Sequence, residues 1–189
     1  SRPGGIAAFR GIPYGTADRW QPPVAAPCWH GDLNATKDGP YCPGMHPAAR
    51  GPDTEEACLS LNVFAPLAAM PPADGGGDGG GPVGGGGGGG GLPVFVWLYG
   101  GSLVLGSVAS YGPIENLVSG SNGRVLLVTM NYRLGALGFA TLPELAAADP
   151  RGVGGNYGAS FRIVPRNFSA EFLPRPVPQD SSTNSSRWS

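Results

Sequence analysis

Between Gly75 and Gly91 the chain carries 14 glycines in 17 positions, broken only by Asp78, Pro82 and Val83. Glycine loses more backbone freedom on ordering than any other residue and has no side chain to bury, so contacts cannot offset that entropy. Residues 74–91 are therefore expected to be a flexible insert, and any fold must be assembled from the pieces on either side. No Gly-X-Y period runs through the chain, which excludes collagen. The remaining 172 residues hold 20 glycines, a density that a turn-rich globular domain tolerates. Setting aside the insert and a polar tail leaves about 145 residues, enough for a modest core. A net charge of −1 with 41% hydrophobic residues gives no electrostatic footprint for nucleic acid or an anionic membrane.

The apolar pattern changes character along the chain. Ile6 to Arg10 is a short burst closed by Gly11-Ile12-Pro13, a strand entering a turn. Residues 15–56 hold prolines at 22, 23, 27, 40, 43, 47 and 52, which rules out a long helix there. Leu59 to Phe64 alternates apolar and polar residues before Pro66, the mark of a strand with one buried face. Residues 93–99 and 124–130 are continuous β-branched and aromatic runs, each expected to be a strand buried on both faces. Leu142 to Ala148 has helical composition, with Pro143 at its start and Pro150 beyond its end. Two buried strands about 25 residues apart imply an α/β core with a parallel or mixed sheet. Gly91 to Ile114 has no charge, but Pro93, Gly100, Gly101, Ser102, Gly106 and Ser107 break it into pieces too short to span a bilayer. No leader of basic and apolar residues follows Ser1, so a targeting segment is expected either to lie outside this sequence or not to exist.

Several strings, in order, resemble the carboxylesterase type-B family, the esterase/lipase–cholinesterase group of α/β-hydrolases. Phe9-Arg10-Gly11-Ile12-Pro13-Tyr14-Gly15 is similar to the family's F-x-G-I-P-Y-A, and Arg19-Trp20-Gln21-Pro22-Pro23 to R-[FW]-x-x-P. Trp29 to Thr36 resembles W-x-G-x-x-D-A-T, and Glu56 to Val63 resembles E-D-C-L-Y-L-N-V. Val96-Trp97-Leu98-Tyr99-Gly100-Gly101-Ser102, with Gly106-Ser107, resembles V-W-[IL]-[HY]-G-G-G-F-x-x-G-S. Asn131 to Phe139 is close to N-Y-R-L-G-x-L-G-F, and Gly155-Asn156-Tyr157-Gly158 matches G-N-Y-G. The resemblance covers residues 9–158 and implies the N-terminal portion of an α/β-hydrolase fold with a mixed sheet. Residues 1–158 then form part of one domain, and residues 159–189, which fit no family string, form an irregular tail expected to be disordered.

Ester hydrolysis by a serine passes through a tetrahedral oxyanion stabilised by backbone N–H groups aimed at that oxygen. A glycine turn after a strand brings backbone close to a substrate. The resemblance assigns the donors to Gly101 and Ser102, Ser102 standing where the family has its third glycine. Without the family, Gly100-Gly101 is only a strand-to-loop turn. The resemblance also pairs Cys42 with Cys58, a bridge worth about 3 kcal/mol that leaves Cys28 free. It joins Arg19 to Glu56 in a structural salt bridge, the alternative being two solvated charges. Cholinesterases place a cation-binding Trp in the loop between the bridged cysteines. Here that loop has Met45 and His46 and no aromatic residue, so a choline ester is not the expected substrate. Asn34-Ala35-Thr36, Asn167-Phe168-Ser169 and Asn184-Ser185-Ser186 are glycosylation triplets, and with the bridge they favour a secretory route.

A complete triad of this family needs a serine in G-E-S-x-G, then an acid, then a histidine. The sequence has no G-x-S-x-G, and its two histidines, His30 and His46, lie N-terminal to the Gly100-Gly101 and Asn131–Phe139 strings that come before the nucleophile, whereas the catalytic histidine should follow it. Both are expected to be loop residues. No C-x-x-C or H-x-x-x-H spacing is present, so neither metal nor cofactor is expected. The leading expectation is about a third of a type-B esterase, inactive alone, whose parent acts on a small-molecule ester. The alternatives are a non-catalytic cholinesterase-like adhesion or binding module and, more weakly, a Gly-rich structural protein.

Overall fold

The computed structural model describes residues 5–45, 54–70, 91–149, 152 and 154–160. The glycine run as far as residue 90, the tail from 161, His46, Asn167 and Asn184 lie outside the described residues. Among those described, β1 (Ile6–Pro13), β4 (Ser60–Pro66), β5 (Val94–Trp97) and β6 (Leu126–Met130) form one sheet in the order β1-β4-β6-β5. β1 and β6 both run antiparallel to β4, whereas β5 runs parallel to β6, so the sheet is mixed. Two short strands, β2 (Gly15–Thr16) and β3 (Val24–Ala25), pair separately. Helices α1 (Asn116–Gly120), α2 (Gly135–Phe139) and α3 (Pro143–Ala148) are each about one turn long. α3 takes Pro143 at its first turn, where its missing N–H has no helical partner to lose.

The period-2 alternation of the strands sorts the core into two layers. Leu61 and Val63 of β4 and Val128 and Met130 of β6 pack with Phe9, Tyr14, Tyr99 and Leu134. Phe64, Leu127 and Val118 form a smaller cluster on the opposite side, joined by Trp97 and Ile114. β4 is therefore buried on both faces rather than one, because it lies between two strands and each layer has a cover. Its polar Asn62 survives burial because both polar atoms of its side chain are bonded: Oδ1 accepts the Gly11 N–H at 2.9 Å and Nδ2 donates to Asp38 Oδ1 at 2.8 Å.

Two further expectations are corrected. β1 does not stop at Arg10 but continues to Pro13 through a bulge between Phe9 and Ile12. Gly11 makes this possible: its φ is +68°, and a Cβ there would lie 2.5 Å from the Lys37 carbonyl oxygen. The second correction concerns residues 93–99. Phe95 and Val96 are 48% and 49% exposed, so β5 is not buried on both faces. Among the described residues it pairs with β6 alone, and its apolar side chains have no second neighbour to cover them.

Candidate active site

The loop after β5 is fixed at its base by two tyrosines. The Tyr99 hydroxyl donates to the Tyr132 carbonyl at 3.3 Å, and the Tyr132 hydroxyl donates to the Tyr99 carbonyl at 2.8 Å. Their rings stack with centroids 4.5 Å apart. Burial pushes the Tyr99 phenol well above its ordinary range and raises Tyr132 as well; both are neutral donors at any ordinary pH. The end of β5 is thereby tied to the segment after β6.

The chain then turns sharply. The Gly101 carbonyl accepts the N–H groups of Val104 (3.0 Å) and Leu105 (3.1 Å). Gly101 has φ +132°, and a Cβ there would sit 2.0 Å from the Leu105 carbonyl oxygen; only glycine fits. Ser102 and Leu103 follow with φ +53° and +64°, two consecutive left-handed residues, each at a conformational cost of about 1 kcal/mol or more. The strain is held from outside the turn. Gly135 N–H donates to the Leu103 carbonyl at 2.7 Å, and Met45 N–H donates to the Val104 carbonyl at 2.8 Å. Among the described residues no acceptor takes the N–H groups of Gly101, Ser102 or Leu103. The preceding Gly100 N–H is occupied, donating to the Tyr111 hydroxyl at 3.0 Å.

The other residues singled out in the sequence sit around this turn rather than in it. Cys42 and Cys58 are joined by a disulfide, with Cα atoms 5.1 Å apart, both fully buried; Cys28 is free and exposed. The bridge closes the loop that contributes Met45. Arg19 and Glu56 form an ion pair at the surface, Arg19 Nε donating to Glu56 Oε1 at 2.8 Å. That contact lowers the Glu56 carboxyl below the usual range and raises the Arg19 guanidinium. The pair lies outside the glycine turn. His30 is exposed in the loop between β3 and β4.

Besides Tyr99, Tyr132, Met45 and Gly135, three further residues have structural roles at the site that sequence did not assign. Asn131 is fully buried; its Oδ1 accepts the Val108 N–H at 3.2 Å, its Nδ2 donates to the Pro40 carbonyl at 3.1 Å, and its own carbonyl accepts the Tyr14 hydroxyl at 2.7 Å. Arg133 is buried, its guanidinium donating to the carbonyls of Asp18 and Gln21 and lying 5.7 Å from the Tyr157 ring centroid. Desolvation lowers its pKa. Both lie in the Asn131–Phe139 string, the one signal that marked them. Tyr111 had no signal, because its partner Gly100 is defined only by the fold.

A family model described as the carboxylesterase family matches residues 1–160. The chain belongs to the carboxylesterase family. Carboxylesterase relatives include the fumonisin B1 esterase of Sphingopyxis macrogoltabida, 34% identical over 176 residues, covering 87% of this chain and 29% of that one. Neuroligin-2 of Mus musculus is 33% identical over 189 residues, covering 82% of this chain and 20% of its own. The crystal structure of Aspergillus niger EstA superposes with a TM-score of 0.62 at 26% identity, covering 86% of this chain and 28% of EstA. The chain thus spans less than a third of the length of these carboxylesterase relatives. The mixed sheet is an N-terminal α/β portion of the hydrolase fold. No helix among the described residues is long and apolar enough to cross a membrane.

Proposed function

We propose that this chain is the oxyanion-binding portion of a serine carboxylic-ester hydrolase acting on a small-molecule ester. In that reaction a serine oxygen attacks the acyl carbon, and the carbonyl π pair moves onto its oxygen. The N–H groups of Gly101 and Ser102 receive that charge. Collapse of the intermediate expels the alcohol and leaves an acyl-serine, which water then hydrolyses. The observation that carries this reading is the strained turn at 101–103, whose N–H groups meet no acceptor among the described residues. Such groups held rigid in advance cost no reorganisation when charge develops. In this reading the nucleophile, acid and base come from outside these 189 residues, which contain no G-x-S-x-G. The buried disulfide supports a secretory route, since such bonds persist in oxidising compartments.

A second reading is a non-catalytic adhesion or binding module of cholinesterase type. The likeness to neuroligin-2, a relative not named for a hydrolytic activity, fits it. A chimera separates the two. Residues 1–158 are grafted onto the remainder of EstA, and turnover of a chromogenic ester is measured alongside fluorophosphonate labelling. The 189-residue chain alone is expected to show neither. The chimera is expected to show both, and Gly101→Val in it to lose about 10²–10³-fold in kcat. A folded chimera without hydrolysis supports the binding reading. Labelling of the isolated chain at Ser102, Ser121 or Ser160 sinks the assignment of an external nucleophile.

A further inference from the structure

We propose that Asn34 is an N-glycosylation site of this chain, accepting an oligosaccharide from a lipid-linked pyrophosphate donor. The inference rests on the secretory reading above. Of the three Asn-x-Ser/Thr triplets, Asn34-Ala35-Thr36 lies within the described residues, and its conformation separates the parts an acceptor needs. Ala35 is buried, and its carbonyl accepts the Arg10 N–H at 2.8 Å, which pins the middle of the triplet to β1. Asn34 is exposed on the outer side of that anchor. Its Oδ1 accepts the Thr36 hydroxyl at 2.7 Å and the Thr36 N–H at 3.3 Å. The hydroxyl that defines the triplet is therefore already on the carboxamide, and it bonds the oxygen, leaving the Nδ2 hydrogens without an acceptor among the described residues.

The chemistry needs that nitrogen. Nδ2 attacks the anomeric carbon of the donor sugar, the new N–C bond forming as the bond to the pyrophosphate oxygen breaks. The lipid pyrophosphate leaves with the electron pair, and Nδ2 gives up one proton. Sequence order makes the site accessible: Asn34 precedes Cys42, Cys58 and β4, so it is synthesised before the bridge and the strand that lock its loop. The fold then tolerates the product, because a glycan on an exposed Asn34 projects away from the buried Ala35. The disulfide is an independent pointer to the compartment in which such transfer occurs.

The full 189-residue chain, preceded by a cleavable secretory leader, is secreted from eukaryotic cells and treated with peptide N-glycosidase in heavy-oxygen water. Trypsin releases residues 20–37, which contain Asn34. The expected result is heavy-oxygen aspartate at position 34 with a glycan-dependent gel shift; the label is lost, and the shift reduced, in Thr36→Val and in Asn34→Asp. Asn34→Asp restores the residue of the family string and keeps an oxygen for Thr36, so its disulfide map should be unchanged. An unmodified 20–37 peptide in a secreted chain with Cys42 and Cys58 joined overturns the site. Cys42 and Cys58 found reduced in the parent cell are a different failure: they overturn the secretory reading, and the proposal with it.

Discussion

β4 and β5 invert what their compositions suggest. Ser60–Pro66 contains a serine and an asparagine, and all seven residues are buried. Val94–Trp97 is wholly apolar and aromatic, and three of its four residues are exposed. The difference is position. β4 has β1 on one side and β6 on the other, with packed side chains over both faces. Among the described residues β5 has one neighbour and little cover. Burial is set by how many elements surround a strand, and a polar residue is admitted wherever its hydrogen bonds are supplied, as Gly11 and Asp38 supply those of Asn62.

The strongest test removes the same side chain from each strand. Phe64 is 1% exposed and packs with Leu127 and Val118, with the Arg10 guanidinium 5.0 Å from its ring centroid. Phe64→Ala is expected to cost about 3–5 kcal/mol, enough to unfold a marginal domain. Phe95→Ala should cost about 1 kcal/mol or less, because half of that side chain already meets solvent. Denaturant titrations of both variants decide the matter. Equal losses would show that β5 is covered in solution, by a second copy or by more of its own chain. Gel filtration over a range of concentrations distinguishes those two, and an edge this apolar and uncharged makes self-association the first to look for.

Alkaline pH probes the sealed side alone. Tyr14 and Tyr99 are buried, and desolvation raises both phenols above their ordinary value of 10.0. As pH rises past that value, the unfolded chain loses these protons first while the folded chain keeps them. Stability is therefore intact below pH 10 and falls above it, by about 1.4 kcal/mol per pH unit for each tyrosine held neutral. Tyrosinate absorbance and denaturant midpoints, followed together from pH 9 to 12, test this. Free ionisation of Tyr14 and Tyr99 near pH 10 without loss of structure would mean that their surroundings are wet.

The strands were legible in the sequence because apolar runs bounded by glycine and proline need no distant information. The runs 93–99 and 124–130, which contain β5 and β6, are read that way, as is the α3 helix behind Pro143. What sequence did not reveal were properties created by distant neighbours. The bulge at Gly11 depends on the Lys37 carbonyl, and the exposure of β5 depends on which strands flank it. Helices α1 and α2 span five residues each, too short for a 3.6-residue period to register. Around the glycine turn, Gly101 and Ser102, the Cys42–Cys58 pair and the Arg19–Glu56 pair came from family strings rather than from spacing. The outside supports of the turn, Met45 and Gly135, act through backbone N–H groups, which leave no trace in side-chain chemistry.

The smallest expected effect lies where the exposed strand meets the turn. Ser102 holds φ +53°, a left-handed conformation that L-residues enter at a cost of about 1 kcal/mol. Glycine removes that cost but adds freedom to the unfolded chain, so the two effects partly cancel. Ser102→Gly is expected to stabilise by about 0.5 kcal/mol, and Ser102→Ala, which keeps the Cβ, to change almost nothing. Paired denaturant curves with many replicates resolve a difference of that size. If Ser102→Gly destabilises instead, the left-handed geometry is not the one held in solution, and the N–H groups of Gly101 and Ser102 no longer form a fixed pair of donors. If it stabilises while hydrogen exchange at Val104 and Leu105 stays slow, the turn is held by its contacts to Met45 and Gly135 rather than by its own sequence.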